Sequence, residues 1–584
     1  MSLTIAFKVA QKGIVQSENK MSVIAANIGN ANLEGYTRKI YRSANVTSNS
    51  VTSPVGGDVM QASVDAALSK RVNNESSISA RDQTASRYWT DYSNAYGSTS
   101  QNATTLSGSV DELTTALQSL RENSSEISAK TILISKAQQL TLEFNNLTQS
   151  IQKQRLEANN EIATNIGEAN DSLKTIGFLN LKINQALASG ENAADLNDQR
   201  NLALETLVKH MGVQYFTDDN QQMKVFTKAG DLLVSGTYAV ALAYDPVGVV
   251  TSTTLYPGGF NPIDLNGVDI TTRIKTGTIG ALIHLRDTDL VGEQEKLDGL
   301  AAKLASTINE IMNSGSSAPP RNSLTGSLST TLATAFSGTG NWRVAVTDQS
   351  GTVQAFSDLN LSTYATVGAL VTALNGIAGM SAALNADGQL VLTATSSTQG
   401  VSLNEMTSDV GGQGASSFFG LNNFFDGSIG NPITAANIKV SDYLVADPAA
   451  ISSGRLNNSG ALAVGDRGVT TGDISVITAI ISAMETAQSF PAAGNFPSRN
   501  ATLSNYANAI LASAATQATS AANVADTSQA TYTYLNDRLV NKVGVNIDEE
   551  TANMTQLQSH YQANAAVLKT VRDLFQTLFD AVRG

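Results

Sequence analysis

The sequence predicts a multidomain α+β protein. Its N- and C-terminal helices pair in a coiled-coil-like terminal domain, a long-helix bundle forms a shaft, and β-rich insert domains stand outside it. Three observations carry this reading. Apolar or small residues at Leu3, Ala6, Ala10, Ile14, Ser17, Met21, Ile24 and Ile28 follow a heptad seam, and Met554, Leu557, Tyr561, Asn564, Leu568, Val571, Phe575, Leu578 and Val582 keep the same spacing at the far end. Stripes of that period continue inward from both ends, with β-branched, turn-punctuated stretches between them. At 584 residues the chain exceeds a single core and divides into several units.

Residues 1–60 hold the first terminal helix and a linker. The helix meets Asn27, Gly29, Asn30, Asn32 and Gly35, where Asn side chains compete for backbone groups and Gly admits positive φ, so it is expected to stop there. Residues 39–54 are polar and β-permissive, and Gly56-Gly57 closes them as a turn, giving an extended linker with one hairpin. Residues 61–210 are the outgoing shaft. Leu106, Val110, Leu113, Leu117 and Leu120 form one stripe, and Ala137, Leu140, Phe144, Leu147 and Ile151 lead through Ala158, Ile162, Ile166, Ala169, Leu173 and Ile176 toward Gly190. A short helix over 195–207 sets Asp195, Asp198, Arg200 and Glu205 among leucines, and Gly212 ends it.

Residues 211–279 read as a small β region, with strands at 213–216, 223–227, 232–234 and 238–243. A shaft helix over 280–313, within the unit 280–318, presents Leu290, Leu297, Leu300, Leu304 and Ile308 and stops at Gly315 and Pro319-Pro320. Residues 319–440 form an outer insert. Strands at 342–347 and 352–356, a helix over 363–375, and strands near 384 and at 390–394 give it a β-β-α-β-β order. The shaft returns over 441–543 with helices at 474–487 and 503–540. After Gly544, residues 544–584 complete the terminal domain.

Composition narrows the function. The formal charge of −13 disfavours nucleic acid and anionic membrane surfaces, because phosphate binding needs Lys and Arg to release counterions. Without cysteine there is no disulfide, thiolate catalysis or Cys-based zinc site. The first apolar run is too short for a signal peptide, and no stretch reaches transmembrane length. His210, His284 and His560 are isolated and read as surface or packing residues. The Gly411–414 stretch lacks a following Lys-Ser/Thr pair and reads as a loop. Asp548, Glu549 and Glu550 read as first-turn carboxylates complementing a helix dipole, and Asp195, Asp198 and Glu205 as groups that pair with Arg200 or face solvent. No catalytic, cofactor or metal constellation emerges, so the chain is expected not to be an enzyme. The seams remain the main signal; Ala10, Ser17 and Asn564 weaken an isolated coiled coil and suit helices that order when partners complete the surface.

Two stretches carry a resemblance. NIGNANLEGYTR at 27–38 resembles the N-terminal signature of bacterial flagellar rod, hook and hook-associated proteins, and GVNIDEE at 544–550 with YQANAAV at 561–567 resembles their C-terminal one. Thr37-Arg38 after Gly35-Tyr36, DQRN at 198–201 and LDGLAAKLASTINEIMNSG at 297–315 are most similar to the hook-associated junction members. Gly29, Leu33, Lys39 and Met312 depart from the common Ala, Thr, Gln and His, and the insert over 341–425 is only loosely matched. The resemblance implies terminal helices packed in the inner tube of an axial structure. It also implies export by the flagellar type III apparatus without a cleaved signal, a cytosolic chaperone on the C-terminal helix, and assembly outside the cell between hook protein and a second junction protein. On this reading Leu3, Ile14, Met21, Ile24 and Ile28 pack with Leu557, Leu568, Val571, Phe575 and Leu578. Tyr561 and Asn564 join that seam, and Asn27, Asn30, Asn32, Gly35, Tyr36 and Arg38, in the signature turn, belong to the same assembly device. The rival readings are the hook protein itself and, from other classes, a cell-wall hydrolase or an adhesin-like role for the middle domains.

Overall fold

The computed structural model describes residues 3–42, 59–62, 64–96 and 105–583. Most of the predicted linker, including the Gly56-Gly57 turn, lies outside those residues. Its flanks pair as antiparallel strands β1 (Lys39–Arg42) and β2 (Val59–Ala62).

Heptad periodicity becomes helix wherever it is sustained. Helix α1 (Leu3–Asn30) opens the chain, followed by α2 (Ala66–Ala95), α3 (Leu106–Glu122) and the 62-residue α4 (Ile127–Ala188). The predicted stripes of α3 and α4 are buried throughout, which makes them the core faces of the shaft. Gly190, at φ 75°, ends α4 by letting the Glu191 N–H reach the Ala186 carbonyl at 2.8 Å. Helix α5 (Ala194–His210) folds back along α4.

A four-stranded antiparallel sheet follows: β3 (Val213–Thr217), β4 (Met223–Thr227), β5 (Leu232–Ser235) and β6 (Tyr238–Ala239). The strand expected over 238–243 is broken. Asn170 of α4 donates to the Leu242 carbonyl (2.9 Å) and accepts from its N–H (2.8 Å), drawing β7 (Leu242–Ala243) away into a second sheet with β8 (Asp264–Leu265) and β9 (Val268–Asp269). The shaft helix expected from Gly280 is also divided, into α6 (Gly277–His284), a π-turn at Leu285–Asp289, and α7 (Leu290–Asn313). The wider turn carries Arg286 into the core, where it meets Asp287 and the Tyr244 hydroxyl and lies 4.2 Å from the Phe260 ring centre.

The outer insert has its own core around Trp342, Leu370 and Leu392. It contains the expected β-β-α-β-β elements and further strands beyond them. Strand β10 (Ser323–Ser329) comes first, then the short β11 (Gly338–Thr339), β12 (Asn341–Asp348), β13 (Val353–Asn360), α8 (Val367–Leu374), β14 (Met380–Leu384), β15 (Gln389–Ala394) and β16 (Gln399–Asn404). β12 sits between β13 and β16, and β15 between β10 and β14. The helix is shorter than expected because Thr366 caps it, accepting from the Ala369 N–H at 3.2 Å.

After two five-residue helices, α9 (Ala415–Phe419) and α10 (Asp442–Ala446), the chain returns through α11 (Ser475–Glu485), α12 (Leu503–Val543) and α13 (Ile547–Arg583). α12 packs along α2, and α13 packs along α1. The multidomain α+β architecture stands, with both chain ends in one helical pair.

Candidate assembly site at the joined termini

The α1–α13 pair buries little. Ala10, Ser17, Ile24 and Asn27 are the buried residues of α1, and Glu550 and Val571 those of α13. Leu3, Ile14, Met21 and Ile28 are half-buried, as are Leu557, Tyr561, Asn564, Leu568 and Phe575. Leu578 and Val582, both placed on the seam by their spacing, are not brought into it and stay 54% and 79% exposed. Asn564 lies directly over Gly13, where a Cβ would come 2.7 Å from its amide nitrogen. The helices therefore come into close contact at a glycine that the heptad pattern passes over. Outside the seam, Val9 (64% exposed), Phe579 (68%) and Val582 (79%) present apolar surface to solvent.

At the foot of the pair, Asn27 does something other than break the helix. α1 runs through Asn27 and Gly29 to Asn30, and Gly29 is not among the positive-φ residues, whereas Gly35 is, at 75°. The Asn27 side chain is fully buried. Its Oδ1 accepts from the Lys39 N–H (2.9 Å) and the Tyr36 hydroxyl (3.0 Å), while its Nδ2 donates to the Lys39 carbonyl (3.0 Å) and Glu550 Oε2 (3.0 Å). All four hydrogen-bonding positions of the amide are thus filled. Asn30 and Asn32 are exposed. Burial, with the charge of Asp195 behind it, raises the Tyr36 hydroxyl above its ordinary pKa.

Asp548, Glu549 and Glu550 fall in the first turn of α13, as expected of dipole complements, and the last two also act as structural bolts. Glu550 Oε1 accepts from Arg38 Nε (2.8 Å), Arg38 also reaches Glu549 (2.8 Å), and the Arg38 N–H bonds the Val543 carbonyl (2.8 Å) at the end of α12. These partners hold the Arg38 guanidinium more firmly protonated than usual, against its partial burial. Asp198 differs from expectation. It pairs with the buried Lys39 ammonium and accepts from Thr37 through both N–H (3.0 Å) and hydroxyl (2.7 Å). Arg200 turns instead to Asn180, Asn197 and the Gln221 carbonyl. Two residues apart on a helix face different ways, so Asp198 and Arg200 had no common side on which to meet. Asp195 remains exposed, 3.6 Å from the Lys39 ammonium. Burial raises Glu205. Residues 36–39 thus clamp three elements: α1 through Asn27, α13 through Glu550, and α5 through Asp198.

Sequence reasoning missed Gly13, Thr37, Lys39, Asp198 and Glu550 as parts of this site. Thr37 was visible only within a resemblance motif, Asp198 within one and among the carboxylates of its helix, Lys39 only as a departure from the common residue, and Glu550 in the acidic run at 548–550 and the motif that holds it, while Gly13 gave no signal. Elsewhere, His210 meets Asn165 and Glu168, His284 meets Asp289, and His560 is exposed. Among the described residues no group of three or more His, Asp or Glu side chains is placed to hold a metal ion.

Comparison with known proteins finds similarity to flagellar proteins. Residues 95–326 match the model of the flagellar hook-associated protein FlgK helical domain, and residues 539–581 that of the flagellar basal body rod FlgEFG protein C-terminal region. Flagellar hook-associated protein 1 of Salmonella typhimurium is 26% identical over 98% of both chains. The chain is thus similar over nearly its whole length to flagellar hook-associated proteins. The same-named protein of Escherichia coli is 24% identical over 98% of both chains. The flagellar hook junction protein FlgK from Burkholderia pseudomallei superposes with a TM-score of 0.47 at 17% identity, over 80% of this chain and 99% of that one. The second match ends on α13 and begins at the end of α12, so the family's C-terminal signature falls on the element that the Arg38–Glu550 bolt fixes.

Proposed function

We propose that this chain is a flagellar hook-associated protein, the structural junction between hook and filament, built into the axial tube by packing of its terminal helices against those of further copies. One observation carries the proposal: the α1–α13 pair is bolted to the shaft by buried polar contacts at its foot, yet leaves Val9, Phe579 and Val582 outside its own seam. Apolar surface on a two-helix pair is stabilised when neighbours cover it, and a ring or single helical turn of copies supplies such neighbours. Leu3, Ile14, Met21, Ile24, Ile28, Leu557, Tyr561, Asn564, Leu568, Val571, Phe575 and Leu578 are the assembly residues. Asn27, Asn30, Asn32, Gly35, Tyr36 and Arg38 set the angle at which they leave the shaft.

In this reading the hook protein contacts the junction on one side and a second hook–filament junction protein on the other. A cytosolic flagellar export chaperone covers α13 beforehand, and export runs through the type III apparatus without signal cleavage. The role is mechanical, with no catalysis and no cofactor. No helix among the described residues is long and apolar enough to cross a membrane. Limited proteolysis of the soluble full-length chain tests the assembly claim: early cleavage in α1 and the distal half of α13, suppressed on incorporation into flagella, is the expected result. Terminal helices as resistant in the free chain as α4 would contradict it.

A further inference from the structure

A cleft of about 810 Å³ separates α2 from the β3–β4 hairpin, with Lys70 and Ser77 on the helix side and Tyr215, Phe226 and Lys228 on the other. Its floor is Gly212, at the turn from α5 into β3. A Cβ there would clash with Thr276 Oγ1 and stand 2.8 Å from Lys228 Cε and 3.1 Å from Ser77 Oγ. Three side chains from three parts of the chain therefore converge on a space that only glycine leaves open.

Two of the three are chemically unspent. Ser77 is 1% exposed, and neither its hydroxyl nor that of Thr276 has a hydrogen-bond partner among the described residues. A buried hydroxyl without a partner is destabilising, so two that both close on Gly212 mark a place shaped for an acceptor. The third is a cation. Lys228 donates to Asn74 Oδ1 at 3.1 Å and Lys70 faces the Tyr215 ring at 5.7 Å, and neither ammonium forms an ion pair among the described residues. Burial and the charge of Arg81 depress the Lys228 pKa, while Glu75 opposes this from a distance. In a chain of net charge −13, a pocket with two lysines and no carboxylate within ion-pair reach is the reverse of the general surface.

We propose that this cleft is an oxyanion-binding subsite, in which the Ser77 and Thr276 hydroxyls donate to a phosphate- or carboxylate-type group paired with the Lys228 ammonium. Charge-assisted hydrogen bonds of this kind are the stronger class, and the hydroxyls satisfy their own cost by making them. The anion has two sources, a free ion from the medium or an acidic side chain of a second copy of this chain.

Calorimetric titration of the soluble full-length chain with inorganic phosphate, and separately with acetate, at constant ionic strength made up with chloride, tests this. Saturable binding of one anion per chain is expected. It should weaken by about tenfold or more in Lys228→Met and in the Ser77→Ala/Thr276→Val double variant. The double variant deletes only unpartnered hydroxyls, so its thermal midpoint should not fall. Lys569→Met, an exposed change on α13, should leave binding unaltered. Phosphate binding identifies a free ion. Acetate binding without phosphate binding identifies a neighbour's carboxylate, and carbodiimide then joins Lys228 to an acidic residue of the next copy in assembled flagella. Absence of saturable binding for both anions, or binding unchanged in both variants, overturns the proposal.

Discussion

The buried Lys39 ammonium is held by Asp198, which also takes both donors of Thr37, so this one carboxylate ties the segment after α1 to α5. Removing one partner of a buried pair leaves a charge uncompensated and costs about 3–5 kcal/mol. Asp198→Ala should therefore loosen the terminal pair from the shaft, and trypsin should cleave after Arg38 or Lys39 much sooner than in the wild type. The Lys39→Met/Asp198→Leu double variant, with no stranded charge, should recover most of the protection. Asn27→Leu removes four hydrogen bonds at once and should expose the same bonds to trypsin while α4 stays resistant. The sequence made Asn27 conspicuous but suggested the wrong role, because a helix-breaking propensity and a buried, fully satisfied amide are the same letter. Lys39 and Asp198 are 159 residues apart, and no local spacing joins them. Lys39 was visible only as a departure from the family's common Gln, and the structure gives that departure an ion pair.

Elements declared themselves when their faces were uniform. The α3 and α4 stripes run through shaft core on every turn, so periodicity alone placed them. β10 and β16 went unread because small or polar residues that are themselves buried separate their few core residues, Leu324 in β10 and Val401 and Leu403 in β16. A Cβ at Gly326 would run into the Phe419 carbonyl, and buried Ser402 hydrogen-bonds Thr347 at 3.0 Å. The π-turn at Leu285–Asp289 was invisible for another reason: a buried Arg286 compensated by Asp287 has no signature in a hydrophobic pattern. Two glycines of α1 now separate by their surroundings. Gly29 has helical neighbours and open space where a methyl group would stand, so Gly29→Ala should stabilise α1 by about 0.5–1 kcal/mol without harming assembly. Gly13→Val must displace Asn564, and should speed hydrogen exchange across the middle of α1 and α13. Equal exchange in the two variants would remove Gly13 from the seam.

Across the whole molecule, the terminal pair has a firm foot and an open flank, and the proposed assembly into a junction draws on that difference. Phe579→Asp with Val582→Asp alters residues that are 68% and 79% exposed, so the soluble chain should keep its helix content and thermal midpoint while failing to incorporate into flagella. Loss of helix content instead would mean those side chains already serve the fold of the single chain. The most direct measurement is electron microscopy of a strain lacking this protein, complemented in turn by the wild type and by the double aspartate variant. Complete hooks without filaments, restored to full flagella by the wild type but not by the variant, are the expected result. A strain without hooks, or one that still carries attached filaments, would contradict a junction role.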